Sequence, residues 1–143
     1  MGQQQLLLLV LGIVIVGLAV VVGIQAFGEN QKKANADALV NDGVRIASDA
    51  QAWRLKPAAF GGGAGNADTA PWTDLDFRTL GYEVNAAGNY ENLNGTFVMS
   101  GQGSTGLVIT ATGANDVGNS VVVTVDGTGP GDIATTVNAA AAE

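Results

Sequence analysis

The chain has 143 residues, a formal net charge of −7, and neither Cys nor His. Without Cys there is no disulfide or thiolate metal site, and without His the commonest general base and metal ligand is missing, so an enzyme would have to be built from carboxylates and hydroxyls alone. All six cations (Lys32, Lys33, Arg45, Arg54, Lys56, Arg78) precede position 79, whereas Glu83, Glu91, Asp116, Asp126, Asp132 and Glu143 follow with no cation among them; such an acidic half repels phosphate and is a poor nucleic-acid surface.

The first segment, 1–28, opens with Gln3, Gln4 and Gln5 and then runs apolar and uncharged for 19 residues, Leu6 to Ile24. As a helix that stretch is about 28 Å long, close to the thickness of a hydrocarbon core. A secretory signal would carry a basic flank, a shorter apolar stretch and a small-residue cleavage site, and none of these is present. Using 100° per residue, Gly12, Ala19, Gly23 and Ala26 fall within about 60° of one another, a stripe on which helix backbones can approach closely.

Residues 29–56 continue the helix with one apolar face. Leu39, Gly43, Ile46, Ala50 and Trp53 recur at intervals of four, three, four and three, widened by Ala36, Val40 and Ala47. Pro57 cannot continue a helix and disfavours the α conformation at Lys56, so the helix ends near Leu55 or Lys56. Unbroken from Gly2, it would be about 80 Å long. The stripe Leu39, Ile46, Ala50, Trp53 is the cover available for a sheet.

Segment 57–79 is a connecting loop rich in Gly, Ala and Asn, anchored by Trp72, Leu75 and Phe77. Asp74 and Asp76 read as solvated turn residues in preference to an acid–base pair or cation site. From 80 to 143 the period becomes that of strands. GYEVNA, NYENL, TFVMS, GLVITAT and SVVVTVD are divided by AGN, NG, GQGSTG and GANDVGN, which is turn chemistry. The expected head is an antiparallel sheet of four to five strands with a flexible C-terminal tail. Asn94-Gly95-Thr96 is both an Asn-Gly turn and a glycosylation sequon at Asn94. Asp126 and Asp132 in DGTGPGD fall short of the six to eight oxygens that calcium takes.

In this order the elements resemble a mature type IV pilin: a Met1 start, a short polar stretch, an apolar helix that becomes amphipathic, the loop WTDLDFRTLGY and the closing hairpin LVITATGANDVGNSVVVTVDGTG. The resemblance implies an α+β, pilin-like fold with the long N-terminal helix packed on the sheet. It also implies a structural, non-enzymatic subunit without cofactor or metal, whose helices lie in the membrane before assembly and in the filament core afterwards. Partners would be further copies of the chain, assembly machinery and a prepilin peptidase. That peptidase would remove a basic leader and leave Met1 N-methylated, which reconciles the head's extracellular position with Lys32 and Lys33 flanking the span on its C-terminal side, where the positive-inside rule alone would place cytoplasm. Bacterial members of this family usually carry a glutamate that pairs with a neighbour's terminal amine. Here Gln5 stands in that place, and an amide accepts a hydrogen bond from an ammonium without neutralising it. Self-assembly is therefore expected to involve Met1, Gln3, Gln4 and Gln5 with the Gly12, Ala19, Gly23, Ala26 stripe, and helix–sheet packing to involve Leu39, Ile46, Ala50 and Trp53. The alternatives are a single-pass membrane anchor carrying a small β domain and a secretion-system pseudopilin. The filament's task, whether adhesion, motility, DNA uptake or biofilm formation, stays open at this point.

Overall fold

A computed structural model describes residues 2–114 and 118–138. It has the expected α+β layout, one long helix laid across an antiparallel sheet. Helix α1 spans Gly2–Leu55 without a break. Pro57, which has no N–H, stops it, and the chain turns through a short 3₁₀ segment, Ala58–Phe60. Gly61, at φ 79°, closes that turn in the left-handed region that disfavours side chains.

The sheet is a five-stranded meander in the order β1-β2-β3-β4-β5, every neighbour antiparallel: β1 Tyr90–Glu91, β2 Gly95–Ser100, β3 Leu107–Gly113, β4 Ser120–Val125 and β5 Ile133–Asn138. Two assignments differ from the sequence reading. GYEVNA forms no strand and contributes only an isolated bridge between Val84 and Tyr90, because Asn85 folds back to accept from the backbone N–H groups of Ala87 and Asn89. The stretch after the DGTGPGD turn is a strand: β5 pairs along the whole of β4, from Val125↔Ile133 to Ser120↔Asn138. The rest of the expected tail, 139–143, lies outside the described residues.

Alternation divides the sheet into two faces. Phe97, Leu107, Ile109, Ala111, Val121, Val123 and Val125 point toward the helix and are fully buried. Against them α1 sets Leu39, Ile46, Ala47, Ala50 and Trp53, and the loop adds Trp72, Leu75 and Phe77 to close one end of the core. The helix crosses β4 very closely at Gly43, where a Cβ would stand 2.9 Å from Val123 Cγ2. The opposite face of the sheet is solvated, with no buried residue among its outward positions.

Polar contacts tie the meander to the helix along its length. Asn119 Nδ2 donates to the Lys32 carbonyl at 2.8 Å, and Asn35 Nδ2 to the Asn94 carbonyl at 2.9 Å. At the other end Gln51 Nε2 donates to the carbonyls of Gly127 and Gly129, at 2.8 and 3.1 Å, which pins the β4–β5 turn. Trp72 Nε1 donates to Thr105 at 3.1 Å and holds the loop to the β2–β3 connection.

Candidate assembly surface

The second half of α1 buries an apolar face against the sheet, whereas the first half buries none among the described residues. From Leu6 to Phe27, sixteen large apolar side chains are 48–70% exposed. Gln3, Gln4 and Gln5 are exposed as well, at the end of the same rod. An added Cβ at Gly12, Gly17, Gly23 or Gly28 would meet nothing within 4 Å. These glycines therefore fill no packing role inside the lone chain, and none of them interrupts the helix. By length and composition α1 can cross a membrane.

Direction along the rod is informative. At 100° per residue the buried set of α1, from Ala36 to Trp53, clusters around one azimuth, and the Gly12, Ala19, Gly23, Ala26 stripe is centred roughly 150° away from it. The small-residue stripe thus lies on the side of the rod turned away from the sheet. Gly17 lies on the sheet's side. Met1 is outside the described residues.

Leu39, Ile46, Ala50 and Trp53 are all buried at the helix–sheet contact. Sequence periodicity missed the acids on the margin of this stripe. Asp42 accepts from Asn92 Nδ2 at 2.9 Å and Asn94 Nδ2 at 2.8 Å, and Asp49 accepts from the Tyr82 hydroxyl. Burial of Tyr82, and then its bond to the Asp49 carboxylate, push the phenol well above its ordinary range. The period of α1 could not reveal these partners, because each lies 33 to 52 positions away in the chain.

The lesser candidates are also placed. Asn94 is half-buried, and the amide nitrogen that would carry a glycan is committed to Asp42. Its neighbour Gly95 is required because a Cβ there would collide with the Thr112 carbonyl; the turn itself is made by Asn92 Oδ1, which accepts from the N–H groups of Asn94 and Gly95. Asp132 accepts from the Gly129 N–H at 2.7 Å, and its carbonyl accepts from Asp126 N–H at 2.9 Å, so both aspartates are used in shaping the β4–β5 turn. Among the described residues no three His, Cys, Asp or Glu side chains converge as a metal site. Asp76 accepts from the hydroxyl and the N–H of Thr79; these bonds hold its carboxyl below the usual range. Asp74, at φ 67°, turns the chain beside it.

The fold and the exposed rod define a class: a small β head on an elongated helix whose apolar half has no partner among the described residues. Comparison with known protein families, curated proteins and solved structures finds no match for this chain.

Proposed function

We propose that the chain is the structural subunit of a type IV pilus-like filament at the cell surface, built by packing the N-terminal helices of many copies. One observation carries this reading: a continuous 54-residue helix serves a complete hydrophobic core at one end and is bare at the other. Full burial of a large apolar side chain contributes about 1.5–3 kcal/mol, so hiding what the sixteen exposed ones present is worth roughly 15–30 kcal/mol. That exceeds the whole stability of a typical domain, about 5–15 kcal/mol. A bilayer supplies the cover to a single copy. Neighbouring helices supply it to an assembled one, and the small-residue stripe, turned away from the sheet, is suited to them. Helices at the centre then place the heads outside. The membrane holds the unassembled pool.

Gln3, Gln4 and Gln5 would be buried at the axis, where each amide needs a partner. Successive copies can supply carbonyls, amides and the terminal amine. The test is electron microscopy of the full-length protein from its native surface or after detergent removal. Filaments are expected, whereas a simple membrane anchor gives dispersed particles in detergent and none after its removal.

A further inference from the structure

We propose that the solvated face of the sheet is a self-recognition surface through which filaments associate side by side. This rests on the filament reading, since it concerns what assembled heads do next.

The face is formed by the outward positions of β2 to β5, and none of them is charged. Its central row, paired across four strands, is Val98, Thr110, Val122 and Thr136. The rows on either side hold only Ser, Thr, Val, Ala and Asn. Among the described residues, acids appear only at the margins, with Glu91 paired to Thr96 on the β1 side and the Asp126–Asp132 turn at one end. In a chain of net charge −7 most surfaces repel a second copy. This one does not. With no charge at its centre, the face can meet a second copy of itself without burying an unpaired charge. Short side chains let two such faces approach to the roughly 10 Å spacing of stacked sheets, and like can meet like, as a two-fold contact requires.

Area separates a second copy on another filament from a soluble dimer. Four strands of about five residues cover on the order of 300 Å², so a pair of faces buries about 600 Å². Stable pairs need roughly 1,200 Å² or more. One contact is therefore too weak to hold two free chains, but a filament repeats it along its length, and linked weak contacts add to a strong one. The position fits as well: α1 covers the inner face, and the helix stripe points away from the sheet, so a core of helices leaves this face on the outside.

The experiment uses full-length filaments, examined by electron microscopy and low-speed sedimentation from low salt to about 1 M. Wild type is expected to form side-by-side bundles that increase with salt, as the marginal acids are screened. Thr110→Lys and Thr110→Glu should each lose the bundles and keep single filaments, because either sign buries an unpaired charge between the faces. Val122→Lys serves as a second variant where a Thr110 change prevents assembly. Leu93→Lys, at a side chain 95% exposed and off the face, should bundle like wild type. Wild-type filaments that stay single at every salt overturn the proposal, as do bundles that survive every change on the face. Loss of bundling with glutamate alone also overturns it, since net charge would then be responsible. Absence of any filament overturns the assembly reading itself and this inference with it.

Discussion

Replacing Gly23 by Leu separates the proposed role of the helix in assembly from its role in the fold. In the single chain a Cβ at position 23 meets nothing within 4 Å, so the larger side chain creates no clash with the head. Helix propensity even favours it: glycine in a helix interior costs about 1 kcal/mol relative to alanine, and leucine far less. Thermal unfolding of the head should therefore be unchanged or slightly raised. Between packed helices the outcome reverses. Side chains set interaxial distance within the usual 8–10 Å, and forcing extra methylenes into a close contact costs about 1–3 kcal/mol per site. Because each subunit in a helical polymer meets several others, the penalty is incurred more than once per copy. Gly17→Leu is the matched control, the same chemical change on the side of the rod facing the sheet. Filament yield is measured by sedimentation and electron microscopy, beside a melting curve of the detergent-solubilised protein. Gly23→Leu is expected to lose filaments with its melting temperature intact, and Gly17→Leu to keep them. Equal yields from the two variants, whether both normal or both lost, would refute the role assigned to the stripe.

Other consequences are equally open to measurement. If Gln5 meets a neighbour's terminal ammonium, Gln5→Glu should preserve or raise filament yield, whereas Gln5→Leu, which strands a buried donor at a cost of about 1–3 kcal/mol, should lower it; the opposite ranking would remove the ammonium from the account. Gly43→Leu should destabilise the head by about 1–3 kcal/mol in chemical denaturation, since even a Cβ would stand 2.9 Å from Val123 Cγ2, and Gly43→Ala by less. The phenol of Tyr82 is raised above its ordinary 10.0 by burial and the Asp49 bond, so its neutral form belongs to the folded state. That contribution is complete below about pH 10 and is lost as pH climbs from there toward the folded value. Stability of Tyr82→Phe followed into the alkaline range should fall less steeply than that of wild type.

Much of this architecture was legible because its signals are periodic and local. The apolar run, the four-three spacing from Leu39 to Trp53 and Pro57 together mark one helix, its buried face and its end. The strands that alternate strongly, β3 and β4, were equally plain. Ile133–Asn138 was less so: as an edge strand paired on one side only, it needs no continuous inward run, and its exposed Ala-Thr-Thr has the composition of a tail. GYEVNA has strand-like residues, but Asn85 spends its side chain on a local turn. Long-range polar pairs such as Asp42 with Asn92 and Asn94 leave no trace in spacing, because either member alone looks like a surface residue. For the candidate assembly surface, composition supplied the residues, and only the buried set of α1 supplied a direction against which the small-residue stripe could be oriented.

The close crossing of the helix over β3 and β4 also has a consequence in time. Each strand pairs with its sequence neighbour, so the sheet can zip from β1 to β5 as it is made. The helix cannot be finished in that way. Its face from Leu39 to Trp53 leaves the ribosome first, and the strands that bury it are complete only at Val125, roughly seventy residues later. At about 5–20 residues per second the delay is several seconds. During that interval the nascent chain presents a greasy stripe just beyond a membrane-seeking segment. On the filament reading, a bilayer that takes up Leu6–Ile24 would hold this stripe at its surface and away from other unfinished chains, and the anchor proposed to store the subunit would also shelter its folding.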